Sequence, residues 1–336
     1  MKKLLLLLIA LGFIQTSCET KKELRLVENS GYAQGSTYQI KYLTSKNQDF
    51  EDEIESIFQG IDNSMSTYVP TSLISEVNKG NVQVEVDEMF LDVLHRSIEI
   101  AEETNGEFDP TVGPLVSLWG FGFDEIRIDV DSEMIERALS QTGYNKIEQE
   151  SSTVKLPEGF SLDFNAIAQG YTVDVIAEYL EGQGVAEYMV EVGGEVRTRG
   201  LNDKRKLWTI GVDKPQNDID SNDRFQFILE LDNASLATSG NYRKYWVDEK
   251  TGIKYSHTIN PKTGTPAKNR LLSASIVTSS AMDADAYATV CMVKGVVACI
   301  EFLEVKPELE GYLVFSNDSG DWEVYITDGF QNFIKE

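Results

Sequence analysis

Helical and strand-like periods follow one another in this chain without the regular strand–helix–strand repeat that builds a parallel sheet. "FEDEIESIFQGID" places Phe50, Ile54, Ile57, Phe58 and Ile61 on one helical stripe. "MFLDVLHRSIEIAEETNG" repeats the pattern with Phe90, Val93, Leu94, Ile98 and Ala101, then stops at Asn105-Gly106. Ahead of both, "STYQIKYL" alternates as a strand, and "SEMIERALSQTG" reads as a helix with Ser132 as N-cap and Gly143 as stop. Further on, "EYMVEVGGEVRTRG", "KLWTIGVDKP", "RFQFILELDNASLAT" and "RLLSASIVTSS" read as strands with turn residues between them. A helix follows from about Met282, and "YLVFSNDSGDWEVYIT" has a hairpin pattern. The order predicts an α+β fold rather than a doubly wound sheet. No internal repeat or low-complexity linker interrupts it, so one two-lobed unit with a cleft is expected.

Charge narrows the partners. With 30 Lys+Arg against 55 Asp+Glu, the formal net charge is −25, which argues against a nucleic-acid footprint. A phosphate-bearing ligand must be met locally, by a metal or a few placed cations.

The first residues, "MKKLLLLLIALGFIQTSC", combine two lysines, an apolar run from Leu4 to Ile14 and small residues ending at Cys18. That pattern reads as a secretory signal too short to span a membrane. It resembles a bacterial lipoprotein signal, with Gln15 and Thr16 as a loose lipobox, and implies a chain exported and lipid-anchored at Cys18. Simple secretion is the alternative. Residues 1–18 are thus read as signal, 19–27 as a polar tether and 28–336 as the folded domain. Of the three cysteines, Cys291 and Cys299 belong to the domain. On one continuous helix they would stand about 12 Å apart, too far for a disulfide. Gly295 is a possible break, and two packing thiols are expected.

Chemistry has few places to sit. Neither a Walker loop nor a GxGxxG after a strand is present. Only His95 and His257 exist. His95 lies beside the apolar stripe of its helix and reads as structural or surface. His257 lies in the turn-rich loop "YSHTINPKTGTP", as a proton acceptor for a hydroxyl nucleophile or as the residue that holds the Asn260-Pro261 turn. In "MDADAYATV", Asp285 and Thr289 fall at i and i+4, one above the other on a helix face, and offer hard oxygen ligands suited to Mg²⁺. First-turn aspartates favoured by the helix dipole explain the same spacing, and spacing alone favours that explanation. "LDFNAIAQGYTVD" sets Asp163 and Asn165 beside Phe164 and Ile167 at a helix start, where an ordinary amphipathic helix needs neither.

Taken in order, "STYVPTS", "GEFDPTVGPLVSLWGFG", "DFNAIAQGY", "VEVGGEVRTRG", "ATSGNYRKY", "SHTINPKTG" and "DADAYAT" resemble the motifs of the ApbE family, FAD:protein FMN transferases, from about Ala33 to Thr289. The resemblance implies a two-lobed α+β unit with FAD between the lobes. It implies a Mg²⁺-dependent enzyme that breaks the FAD pyrophosphate, releases AMP and leaves FMN phosphoester-linked to a Thr or Ser of an acceptor protein. Familiar acceptors are exported-side subunits of flavin-containing redox complexes. Asp285 and Thr289 fall on the family's metal ligands, and Ala166 on a backbone-carbonyl ligand. Asp163 and Asn165 share that wall. Tyr68, Phe108 and Asp109 match flavin-nucleotide contacts, Ile259 lies in another contact segment, and Ser239, Gly240, Asn241, Tyr242 and Arg243 match the wall near the phosphates. His257 matches the family histidine, cast as general base. Gln34-Gly35-Ser36 replaces the family's Met-Gly-Thr, so Gln34 must make a different contact, and Gln169 replaces a charged residue beside the nucleotide. The alternatives are an FAD pyrophosphatase with water as nucleophile and a flavin-carrying lipoprotein without chemistry.

Overall fold

The computed structural model describes residues 24–45, 48–122, 130–215, 224–241, 245–247 and 254–335. The leader with Cys18 and the residues Tyr242, Arg243 and Lys244 lie outside the described residues.

The chain opens with an antiparallel hairpin of β1 (Arg25–Ala33) and β2 (Ser36–Thr44). β1 starts inside the stretch read as tether. Its residues are mostly exposed because it forms one edge of the main sheet, so no apolar alternation marks it. β2 buries Tyr38, Ile40 and Tyr42 against α1 (Glu51–Met65), whose first turn is held by the Phe50 N–H donating to Tyr42 Oη at 2.8 Å. The expected stripe packs inward, with Ile54, Phe58 and Ile61 buried and Ile57 half-buried. After α2 (Leu73–Val77) and β3 (Val84–Glu85), α3 (Glu88–Glu103) is capped by Asp87, which accepts from the Phe90 N–H at 2.8 Å. Asn105 and Gly106 end it in the left-handed region, at φ 52° and 78°.

Next come α4 (Gly113–Leu118) and α5 (Ser132–Ser140). The cap of α5 is Asp131, accepting from Met134 N–H at 2.9 Å, and not the expected Ser132, which is already inside the first turn. β4 (Glu148–Glu150) and β5 (Thr153–Lys155) join β3 in a small sheet, and α6 (Ala168–Gly182) follows. β6 (Tyr188–Val192), β7 (Glu195–Arg199), β8 (Trp208–Asp213), β9 (Phe225–Leu231) and β10 (Ala234–Gly240) realise the strand-like run. Short pairs β11 (Tyr245–Val247) with β12 (Lys254–Ser256), and β13 (Ile259–Asn260) with β14 (Thr265–Pro266), lead to β15 (Leu271–Thr278). α7 (Ala281–Lys294), α8 (Val296–Glu304) and the hairpin of β16 (Glu310–Ser316) and β17 (Trp322–Ile326) finish the fold.

The main sheet has the order β1-β2-β6-β7-β10-β15-β16-β17, and every pairing in it is antiparallel. That is the α+β arrangement. α7 packs on β10 and β15 and against α6. Its alanines 281, 284, 286 and 288 are fully buried, which lets backbone come close to backbone.

The possible break at the end of α7 is real, and the two thiols are buried and unpaired by a disulfide as expected. Gly295, at φ 76°, breaks the helix before α8, so Cys291 and Cys299 do not sit on one rod. Both are free, fully buried and within hydrogen-bond reach of each other, and burial pushes the Cys291 thiol up.

Candidate functional site

The segment ahead of α6 is extended and tied down by side chains. Asn78 brackets Leu162, accepting from its N–H at 2.7 Å and donating to its carbonyl at 2.9 Å. The Asp163 N–H donates to the Pro110 carbonyl at 2.8 Å, which joins this segment to the one carrying Phe108 and Asp109. The Asp163 carboxylate accepts from the Asn165 N–H at 2.8 Å and its amide at 3.2 Å. Desolvation raises the Asp163 carboxyl above its usual range, against the lowering effect of those two donors. The acid and the amide therefore shape a turn.

That turn delivers Ala166 to the start of α6, where Ile167 at φ −155° is not yet helical. In a regular helix the Gly170 N–H would bond the Ala166 carbonyl. It donates instead to Asp285 Oδ2, at 3.2 Å. The Ala166 carbonyl is left without its helical donor, and among the described residues no backbone N–H replaces it. Gly170 is needed for this approach, since a Cβ there would fall 2.2 Å from the Ala281 carbonyl oxygen.

Asp285 is 6% exposed, and burial pushes its carboxyl up to about 7, only partly opposed by the Gly170 N–H. Thr289, one turn on and half-buried, stands with its hydroxyl 3.2 Å from that of Ser239 at the end of β10. The turn ahead of α6 thus offers a carbonyl, and α7 a carboxylate and a hydroxyl. Among the described residues no group of three His, Cys, Asp or Glu side chains forms a metal cage. A donor set with one carboxylate and neutral oxygens fits Mg²⁺, which keeps other positions for water and phosphate.

The other wall is built around β10 and the His257 loop. Gly240 pairs with Ser273, and the Asn241 N–H donates to the Leu272 carbonyl at 3.1 Å. Asn241 Oδ1 accepts from the Thr258 hydroxyl at 3.0 Å, bringing the Ser239–Asn241 strand end beside His257. His257 is half-buried, its ring edge-on to Phe121 at 6.5 Å between centroids. The Asn260 turn is held by Asn260 itself, whose side chain accepts from Lys262 N–H at 2.9 Å and Thr263 N–H at 3.2 Å. The Trp119 indole N–H donates to the Gly264 carbonyl at 2.8 Å and pins the loop to α4. These bonds hold the turn from both ends. His95, in contrast, is exposed and bonded to Gln149 at 2.9 Å.

The model of the ApbE family matches residues 34–313. The chain belongs to the ApbE family. An FAD:protein FMN transferase from Vibrio cholerae is 35% identical over 339 residues, covering 98% of this chain and 99% of that one. Another from Haemophilus influenzae is 34% identical over 352 residues, covering 100% and 98%. Among solved structures, the flavin transferase ApbE from Vibrio cholerae matches with a TM-score of 0.81 at 35% identity, covering 93% of this chain and 100% of that one. The ApbE protein from Thermotoga maritima gives 0.79 at 29%, covering 93% and 100%.

Within this ApbE fold, the remaining residues expected at the site divide by what their side chains touch. Tyr68 is 66% exposed on the turn after α1. Phe108 is buried in the largest core cluster, and Ile259 packs beside Leu115 and Trp119. Asp109 is buried and spends its carboxylate on the Thr111 N–H and hydroxyl, at 2.8 and 2.6 Å, and on the Tyr144 N–H, at 3.0 Å. Burial lifts its carboxyl, opposed by those bonds. Gln34 has φ 51° and donates its amide to the Thr172 hydroxyl at 2.9 Å, fastening the β1–β2 turn to α6. Gln169 reaches the Gly193 turn, where an added Cβ would lie 2.4 Å from its Nε2. Lys262 stands 3.9 Å from Glu107, which also meets Lys294. Sequence reasoning missed Gly170 and Thr258 as parts of the site. The signal for Gly170 was a glycine one turn into a helix, set among the small residues Ala166 and Ala168.

Proposed function

We propose that this chain is a Mg²⁺-dependent FAD:protein FMN transferase, joining FMN through a phosphoester to a Thr or Ser hydroxyl of an acceptor protein and releasing AMP. The observation that carries the reading is the Gly170 N–H turned to Asp285, which takes its helical donor from the Ala166 carbonyl, with the Thr289 hydroxyl one turn further along α7. Membership of the ApbE family and the names of the relatives support the same activity.

Ala166, Asp285 and Thr289 would hold the magnesium ion, which when bound supplies charge neutralisation for the pyrophosphate and the departing AMP. His257 takes the proton from the acceptor hydroxyl as its oxygen bonds to the FMN phosphorus. The pyrophosphate P–O bond breaks as that bond forms, and AMP leaves with the electron pair. Asn241 and Ser239 place the strand end that faces both centres. Attachment at Cys18 on the outer side of the inner membrane, and an exported subunit of a flavin-containing redox complex as acceptor, belong to the same proposal.

The test mixes the full chain, in detergent, with FAD, Mg²⁺ and a candidate acceptor domain, and follows AMP release and denaturation-resistant flavin fluorescence on the acceptor. AMP with a fluorescent acceptor is the expected result. AMP alone identifies a pyrophosphatase, and bound FAD without AMP identifies a carrier.

A further inference from the structure

We infer that Asp174 is a positioning residue that sets the register of α7, and with it Asp285 and Thr289, against the Ala166 carbonyl. Asp174 is 6% exposed on α6 and faces the start of α7. Its carboxylate accepts from the Ala281 N–H at 3.0 Å, the Met282 N–H at 2.9 Å and the Ser280 hydroxyl at 2.8 Å. From β7, Arg197 completes the set at 2.8 Å. Four donors thus meet one buried carboxylate. Two of them are orphan N–H groups of a helix N-terminus, the place where a negative charge is most favourable.

An N-cap alone needs less. α7 already has one in Ser280, whose hydroxyl accepts from the Asp283 N–H at 3.2 Å. What Asp174 adds is a second fixed point between two helices. Gly170 and Asp174 are four residues apart on one face of α6, and their partners, Asp285 and Ala281, are four apart on α7. The pairs run in opposite senses, Gly170 to Asp285 and Asp174 to Ala281, as in two antiparallel rods pinned at two places. One pin leaves the helices free to rotate about it; two fix both slide and angle. The first pin also frees the Ala166 carbonyl, so a shift of α7 by a fraction of a turn disturbs all three oxygen donors together.

This inference rests on the metal site set out above, so its test separates the two. Mn²⁺ is titrated into the full chain in detergent and followed by its electron paramagnetic resonance signal, for the parent protein, Asp285→Asn and Asp174→Asn. Half-saturating Mg²⁺ for AMP release and thermal melts are measured alongside. Loss of Mn²⁺ binding in Asp285→Asn establishes the site, and equal binding by that variant and the parent overturns site and inference together. With the site established, Asp174→Asn is expected to bind Mn²⁺ about tenfold more weakly, in the range seen when partners that orient metal ligands are removed. Half-saturating Mg²⁺ should rise by more than kcat falls. A residue that only stabilised the fold would lower the folded fraction and leave the affinity of the folded molecules unchanged. Mn²⁺ affinity within about twofold of the parent overturns the inference, being less than such partners contribute. If Asp174→Asn does not fold, Ser280→Ala removes one donor and carries the same comparison, with an expected loss of about threefold from a single weakened hydrogen bond.

Discussion

Gly170 and Asp285, 115 residues apart in the chain, meet backbone to carboxylate at 3.2 Å. The contact does two things at once. It fixes a buried carboxylate that burial would otherwise leave unsupported, and it withdraws from Ala166 the donor an α-helix would have supplied. A helix start is thereby left with a carbonyl that has no helical donor, close in sequence to the N–H that meets the carboxylate.

Gly170→Ala tests how tight that junction is. The added methyl would sit 2.2 Å from the Ala281 carbonyl oxygen and 2.8 Å from Met282 Cα, both backbone, so α6 and α7 must part. Overpacking of this kind costs about 1–3 kcal/mol, to be read as a lower urea midpoint at unchanged slope. Divalent-metal affinity should fall with it. An unchanged midpoint would mean the junction is slack.

The pH dependence follows from Asp285. Its folded carboxyl is pushed up to about 7 from 3.8 by burial, so between those values the folded metal-free chain keeps a proton that the unfolded chain has released. Stability of the metal-free chain from this group therefore falls as pH rises through that window, and Asp285→Asn removes the effect. A divalent ion must displace the same proton. Apparent Mn²⁺ affinity should rise with pH by about tenfold per unit below 7 and level off above it. A flat titration series from pH 5.5 to 8.5 would contradict this.

Much of the architecture was legible because one-sided burial leaves a period. Phe50, Ile54, Phe58 and Ile61 announce α1, and "RLLSASIVTSS" announces β15 as a strand, which the fold buries on both faces. β1 was not legible, since an edge strand with polar residues such as Glu28, Asn29 and Ser30 carries no such period. Nor was Asp131 as the cap of α5, one residue from an equally good candidate in Ser132. At the site, Asp285, Thr289 and His257 stood out by residue type and spacing, and Ala166 only through the family resemblance. What the expected side chains touch was not legible: that Tyr144 takes part of the Asp109 carboxylate, or Thr172 the Gln34 amide, depends on contacts between distant segments.

His257→Gln removes the proposed proton acceptor while keeping a polar side chain of similar reach. Flavin transfer should slow by about 10²–10⁴-fold, the usual contribution of a placed general base. FAD affinity, measured by fluorescence quenching, should change little because the proposed metal-holding oxygens stand on α7 and on the turn ahead of α6, apart from the His257 loop. A large loss of FAD binding with an unchanged rate at saturation would assign His257 to binding instead.

Thr258→Val asks whether the neighbouring bond serves that histidine. Its hydroxyl donates to Asn241 Oδ1 at 3.0 Å, and Thr258 is 8% exposed, so valine leaves the Asn241 oxygen without this donor in a largely dry place. Stability should drop by about 1–3 kcal/mol, and transfer should fall several-fold more than the folded fraction does. If Thr258 acts by fixing the His257 loop to the end of β10, its effect on the rate requires His257 to be present. In a double-mutant cycle, adding Thr258→Val to His257→Gln should then cost little further rate, a coupling of the sign and size found between residues acting as one unit. Full additivity would separate the two residues and leave the Asn241 contact as a feature of folding alone.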